Sequence, residues 1–255
     1  MRTIYLSLLA LLAITVSGCK KSEQSTDDKE ITIAVASNFA SAAKVLVEAF
    51  KADHDINVTV SLGSSGKHFS QISNGAPYDI FLSADSQRPL KLQQSGLTKS
   101  APKTYAIGQL CLWSPDPKLV DPQGYILKSP NSFKHLAIAN PKLAPYGKAS
   151  SETLKHLELY QSLRSKIVTG ENINQTYQFI TSGNAELGFI AYSQVLNSAN
   201  HKTSGSHWLA PQTHHPPIAQ QAVLLSNSPS AEIFYQFLFS PQAQEIIKMS
   251  GYLVP

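Results

Sequence analysis

The sequence predicts an α/β protein of two lobes, each a mainly parallel sheet flanked by helices, joined by two crossover segments. Three observations predict it. From Ile31 onward, short apolar runs alternate with amphipathic stretches whose apolar residues recur at spacings of three and four, the pattern of repeated strand–helix units. The part of the chain able to fold, about 225 residues, exceeds what one hydrophobic core usually serves. Two long extended runs, residues 105–113 and 218–225, flank the middle of the chain, so the polypeptide passes from one lobe to the other and back. Residues 30–107 and 220–255 are assigned to lobe 1 and residues 108–219 to lobe 2.

Residues 1–18 stand outside this fold. Arg2 precedes an uncharged, mainly apolar segment, residues 4–16, too short to span a bilayer, and Val16-Ser17-Gly18 lead directly into Cys19. This is an export signal of the lipoprotein kind, with Cys19 as the acylated first residue of a membrane-anchored mature chain. An ordinary secretory signal with an incidental cysteine is the alternative, and both place the protein in the periplasm or cell envelope. Residues 19–29 form a tether, since no apolar residue follows Cys19 before Ile31 to offset the entropy of ordering.

Within the body, residues 31–36 read as a short apolar strand that turns at Ser37 into a helix with Phe39, Ala43, Leu46, Val47 and Phe50 on one face. Residues 57–62 alternate as a second strand and deliver the chain to Ser64-Ser65-Gly66 and a second helix carrying Phe69 and Ile72. Asn74-Gly75-Ala76-Pro77 ends that helix, and residues 78–82 form a third strand closing at Ser83-Ala84-Asp85. After the run 105–113 comes a proline- and glycine-rich region, then a strand at 136–139. A helix at 150–163, a strand at 165–168, a helix at 173–182 and a strand at 187–191 follow. Residues 197–217 read as a polar loop, and helices at 231–239 and 242–249 finish the chain.

The formal net charge is +4. The body holds no long basic run, which argues against nucleic acid as a partner. With Cys19 lipidated, Cys111 stands alone in the apolar run Gln109-Leu110-Cys111-Leu112-Trp113 and reads as a buried structural thiol, so no disulfide framework forms. Two helix starts rich in hydroxyls and free N–H groups, at Ser37 and Ser65, can converge on one anion. Ordinary N-capping is the competing explanation for each serine taken alone. Asp79 and Asp85, at the two ends of a strand, read as turn-capping residues rather than a catalytic or metal-binding pair.

Ala36-Ser37-Asn38-Phe39, Gly63-Ser64-Ser65-Gly66, the segment from Asn74-Gly75-Ala76-Pro77 to Ser83-Ala84-Asp85, Pro145-Tyr146-Gly147 and Leu187-Gly188-Phe189-Ile190 together resemble the molybdate-binding proteins of ABC importers. The order and spacing hold from Ile31 to Ser240-Pro241-Gln242-Ala243 and Gly251-Tyr252. The resemblance implies the type II fold of periplasmic binding proteins, a monomer that takes no cofactor, and a permease as partner. It implies a tetrahedral oxyanion, molybdate or tungstate, held by serine hydroxyls and backbone N–H groups; metal is bound only as that oxyanion. Ser37 and Ser65 match the two ligand serines, and Tyr146 and Ile173 fall where backbone N–H groups are used. Where many members place a tyrosine hydroxyl, this chain aligns Ala191, with Tyr192 one residue later. A one-residue offset on a strand reverses the side chain, so the fifth contact stays open between them. Selection in such a site rests on cavity size, which separates the larger molybdate and tungstate from sulfate but scarcely from each other.

Other readings compete. The same scaffold could take sulfate, phosphate, chromate or a small organic anion, or serve a sensor or structural lipoprotein without a permease. A penicillin-recognising serine enzyme is suggested by Ser64-Ser65-Gly66-Lys67, Ser182-Gly183-Asn184 and Lys202-Thr203-Ser204, although the last lies in a polar loop where a strand is needed. A phosphate loop fails, with Ser61 where glycine is required and His68 after Lys67. His201, His207, His214 and His215 match no metal-binding spacing and read as a solvated loop. No adjacent tyrosine pair of the ferric-binding kind is present, and Trp113 and Trp208 read as packing residues.

Overall fold

The computed structural model describes residues 29–197 and 202–255. The expected signal, Cys19, the tether up to residue 28, and His201 lie outside the described residues. Strand β1 (Glu30–Ala36) runs through a 3-10 turn (Ser37–Phe39) into α1 (Ala40–Asp53). Then come β2 (Asn57–Gly63), α2 (Ser65–Ser73), β3 (Ile80–Ser83), α3 (Gln87–Gln94), β4 (Lys103–Gly108) and β5 (Leu110–Ser114). The second series is β6 (Leu136–Ala139), α4 (Pro145–His156), the single turn α5 (Tyr160–Leu163), β7 (Ile167–Gly170), α6 (Ile173–Thr181) and β8 (Leu187–Ala191). The chain ends with β9 (Leu196–Asn197), β10 (Lys202–Thr203), β11 (Ser206–Leu209), β12 (Ile218–Leu224), α7 (Pro229–Leu238) and α8 (Pro241–Met249).

Two five-stranded sheets result, in the orders β2-β1-β3-β12-β4 and β11-β5-β8-β6-β7. In the first, β1 pairs parallel with β2 and β3, and β12 runs antiparallel between β3 and β4. In the second, β6 pairs parallel with β7 and β8, and β5 runs antiparallel between β8 and β11. The antiparallel strand of each sheet is the one that arrives from the other lobe. Both faces of the first sheet are covered, which is why β1 reads as nearly continuous apolar sequence. Ile31, Ile33 and Val35 face a core with Phe39, Phe50, Tyr105 and Phe234, and Ala34 faces a smaller one with Ile72, Phe81 and Leu92. Phe50 meets the Phe234 ring edge-on at 5.0 Å between centroids.

Four readings of the sequence need correction. The run 105–113 is two strands in different sheets, split at Gln109, whose side chain donates to Gly251 O. The helix expected at 150–163 starts earlier, at Pro145, whose missing N–H costs nothing in the first helical turn. It also ends earlier, because Glu158 adopts the left-handed conformation at φ 60. The expected loop 197–217 contains β10, which places Lys202 and Thr203 in a short strand paired with β9 rather than in a loop, and β11, where Ser206 and Trp208 turn inward between exposed or half-buried His207 and Leu209; its polar composition concealed the alternation. The strand expected at 165–168 is shifted to β7, with residues 164–166 forming a 3-10 turn, and α3 was not anticipated. Among the described residues no helix is long and apolar enough to cross a membrane.

His68 fixes α2 to the sheet. It is buried, with Nε2 3.2 Å from Val35 O and Nδ1 3.2 Å from Gln71 Oε1, and its ring meets Tyr78 and Phe81 edge-on. Burial holds its pKa below the ordinary imidazole value. The unfolded chain, titrating at about 6.5, therefore binds more protons than the native state just below that pH, so stability present above it is lost as the pH falls. In chemical denaturation between pH 7 and pH 5, His68→Gln should shallow the decline in unfolding midpoint; a wild-type slope would show that His68 plays no part in it.

Candidate functional site

Two parallel pairs of strands, β1 with β2 and β6 with β7, end at the cleft between the lobes, and each of the four strands leads into a helix start. Ala36 lies opposite Gly63 at the end of one pair, and Ala139 lies opposite Gly170 at the end of the other. The helical segments beginning at Ser37, Ser65, Pro145 and Ile173 point their N-termini into one small cavity. Its lining is Ala36, Ser37, Asn38, Gly63, Ser64, Ser65, Ala84, Ala144, Pro145, Tyr146 and Ile173. It contains no charged side chain. The void gives the centre of a water-sized sphere ≈ 10 Å³ of room, the scale of a single small guest.

An α-helix leaves its first backbone N–H groups without intrahelical partners, and following each one shows what the cavity receives. In α2, Lys67 N donates to Ser64 Oγ, Gly66 N donates across the cleft to Leu143 O, and His68 N makes the first intrahelical bond to Ser64 O. Ser65 N is left. In α6, Asn174 N and Gln175 N both donate to Asn172 Oδ1 and Thr176 N donates to Asn172 O, leaving Ile173 N. In α4, Pro145 has no N–H and the first intrahelical bond comes from Lys148 N to Ala144 O, leaving the N–H groups of Tyr146 and Gly147 ahead of it, of which Tyr146 lines the cavity. At the turn after β1, Ala40 N donates to Ser37 O, leaving the N–H groups of Ser37 and Asn38. The partial positive charge of these helix starts is thus delivered by neutral groups.

The serine hydroxyls have roles that capping does not account for. Ser64 caps α2, whereas Ser65, fully buried, accepts from Ala84 N at 2.9 Å. That bond occupies a lone pair and leaves the Ser65 O–H proton to donate into the cavity. The turn that opens at Ser37 has no side-chain cap, and among the described residues the Ser37 hydroxyl has no side-chain hydrogen bond to the protein. Four of the expected site residues, Ser37, Ser65, Tyr146 and Ile173, are therefore brought together. Ala191 and Tyr192 do not line the cavity: Ala191 N donates to Gln194 Oε1, and Tyr192 N donates to Gln109 O while its ring lies near His207. Asn38 was not anticipated as a site residue, and its position directly after Ser37 on the same turn is the signal that pointed to it.

Beneath the cavity lies a buried neutral network. Asn38 Nδ2 donates to Gln220 Oε1 at 3.0 Å and to Tyr252 Oη at 3.1 Å, Tyr105 Oη donates to Gln220 Oε1, and Tyr252 Oη donates to Asn38 O at 2.7 Å. Ser193, in lobe 2, reaches the same group through Asn38 O and Tyr252 Oη. Burial raises the pKa of Tyr105, Tyr146 and Tyr252, so these phenols stay protonated and bring no negative charge near the site.

The other motifs do not assemble. Ser182 is exposed at the end of α6 and donates to Gln178 O, and Lys67 is exposed on α2. Asp79 Oδ2 accepts from Thr32 N and its Oδ1 from Ser226 Oγ, while Asp85 accepts from Arg88 N, so both hold turns. Burial pushes the Cys111 thiol pKa up. His207, His214 and His215 do not form the solvated loop that the sequence suggests: His207 lies in β11, His215 is buried and His214 stacks on His156 at 4.3 Å between ring centroids, yet among the described residues no group of three or more His, Cys, Asp or Glu is placed to hold a metal ion.

The family model described as bacterial extracellular solute-binding protein matches residues 31–253. The chain is 45% identical to the molybdate-binding protein ModA of Azotobacter vinelandii over 227 residues, 88% of this chain and 89% of that protein. It is 43% identical to the molybdate-binding protein ModA of Rhodobacter capsulatus over 228 residues, 88% of each. The solved structure of the Azotobacter vinelandii periplasmic molybdate-binding protein superposes with a TM-score of 0.85 at 40% identity, covering 88% of this chain and 99% of that one.

The first turn of α4 can approach β6 only without a side chain at Gly147, where a Cβ would lie 2.1 Å from Ala139 O. Gly147→Ala should destabilise the protein by about 1–3 kcal/mol, the usual penalty of overpacking, as measured by urea unfolding; an unchanged midpoint would mean that α4 can move off the sheet freely.

Proposed function

The chain belongs to the bacterial extracellular solute-binding proteins, and on that footing we propose that it captures molybdate or tungstate as the oxyanion and delivers it to the permease of an ABC importer. The observation that carries this reading is the set of helix starts around one cavity, each with a backbone N–H left over and no charged residue in the lining. A dianion taken from water loses strong hydration, and only convergent, preorganised donors compensate in a dry site. Hydrogen bonds to a charged group contribute about 1.5–3 kcal/mol each, so five backbone donors and two hydroxyls suffice without a counter-ion. Neutral donors also suit a ligand that must be released, since no ion pair has to be broken.

Ser37 and Ser65 donate through hydroxyl and backbone, and Asn38, Tyr146 and Ile173 through backbone alone. The protein performs no chemistry on its ligand and requires no cofactor. It acts as a monomer in the periplasm or cell envelope, held to the membrane by lipid on Cys19. With Ala191 and Tyr192 off the cavity wall, no tyrosine hydroxyl contributes, and the main chain of Asn38 takes that share. The same observation favours a second reading, in which the scaffold holds a different small anion.

Calorimetric titration of the soluble chain with molybdate and with tungstate, in excess sulfate, separates the two. Binding that sulfate does not compete away supports the oxyanion reading; no heat with either anion sinks it and moves the search to other anions. Ser37→Ala combined with Ser65→Ala should abolish tight binding while shifting the apo melting temperature by no more than a few degrees. Wild-type affinity in that variant would reject the site.

A further inference from the structure

We propose that Arg88 is the clasp of the closed cleft, a positioning residue that retains the captured anion without touching it. Arg88 lies on α3 of lobe 1 at the mouth of the cleft. Asp85, three residues earlier, accepts from Arg88 N at 3.0 Å and pairs with the guanidinium through Nη1, which fixes the direction of the side chain. The other arm, Nη2, crosses the cleft and donates to Lys142 O of lobe 2 at 3.0 Å. Beside it, Gly66 N donates to Leu143 O at 2.9 Å, so two consecutive carbonyls of the turn before α4 are gripped by lobe 1. The fit is close: a Cβ on Gly66 would lie 2.9 Å from Leu143 Cα and 3.1 Å from Arg88 Nη2.

The clasp stands between the site and the outside. A groove of ≈ 280 Å³ lined by Asp85, Arg88, Lys142 and Lys148 shares Ala84, Ala144 and Pro145 with the inner cavity. Arg88 is absent from the cavity lining, and its charge is matched by Asp85, so it neither binds the anion nor attracts it from a distance. Its bond to Lys142 O forms only when the lobes meet, and breaking it belongs to opening. Such a contact acts on the dissociation rate, whereas a free rim charge acts on the association rate. Lysine cannot replace it, because one ammonium lacks the planar fork that holds Asp85 and reaches Lys142 O together.

Gly66 supplies a direct reporter. Its N–H is in the first turn of α2 and has no intrahelical partner, so its protection from hydrogen exchange comes from Leu143 O and measures closure even without ligand. In the soluble chain with no anion added, Arg88→Ala and Arg88→Lys should each speed exchange at Gly66 about tenfold, with core amides such as Ile33 unchanged. Unchanged exchange at Gly66, or equal acceleration at Ile33, would overturn the clasp. The kinetic arm alone rests on the proposed capture of oxyanion. In stopped-flow fluorescence with molybdate, both variants should raise koff about tenfold and leave kon within about twofold. A lowered kon with wild-type koff would make Arg88 a steering charge and reject the clasp. If the wild type takes up no molybdate, the capture reading falls and the exchange of Gly66 alone decides the clasp.

Discussion

A site that holds an anion without a counter-charge must leave backbone donors unpaired at one point inside a protein, where an unpaired donor is otherwise destabilising. The rest of this architecture follows from meeting that constraint. Only helix starts offer N–H groups with no intrahelical partner, and only the ends of parallel strands aim several helix starts in one direction. Most neighbouring donors are then satisfied or removed locally: by Ser64 Oγ and Leu143 O in α2, by the Asn172 side chain in α6, and in α4 by Pro145, which carries no N–H. One N–H of each of these helices, at Ser65, Ile173 and Tyr146, faces the guest.

The buried amides and phenols below the cavity extend the same principle. Asn38 gives its main chain to the cavity and its side chain to Gln220 and Tyr252, so the turn after β1 is held by groups from β12 and the C-terminus. Gln220 lies on the strand that returns from lobe 2, and Ser193 joins the group from lobe 2 itself. All of these groups are neutral. A carboxylate in the same place would oppose the negative guest, and a cation would hold it too long to be passed on.

Much of this was legible in the sequence because it is written in local pattern. The apolar run of β1 ending at Ser37, the alternation of β2 ending at Ser64-Ser65, and the helix expected from Ile173 all announce strand ends and helix starts within a few residues, whereas the sequence reads as a turn at Pro145, where α4 starts. What stayed hidden depends on contacts between distant segments. Nothing in residues 105–113 says that the chain changes sheets at Gln109, since both halves are equally extended and apolar. β11 is concealed by its histidine and serine content until β5 is there to pair with it. Neither the engagement of Ser65 Oγ by Ala84 N nor the placement of Ala191 away from the cavity could be read from spacing, because both depend on how β3 and β8 meet the cleft.

The antiparallel strand in each sheet also sets the order in which the chain can complete itself. The second sheet draws every strand from one continuous stretch, β5 to β11, and can close as soon as that stretch is present. The first sheet cannot. Its β3 and β4 are joined only through β12, so between them stands a gap that is filled after the whole of the other lobe has been synthesised. The entropy of closing so long a loop falls on that single strand, and pairings of this range are the slow ones in folding. As the chain is made from its N-terminus onward, the first lobe to emerge is the last to be finished, and the site between the lobes comes into existence only at the end.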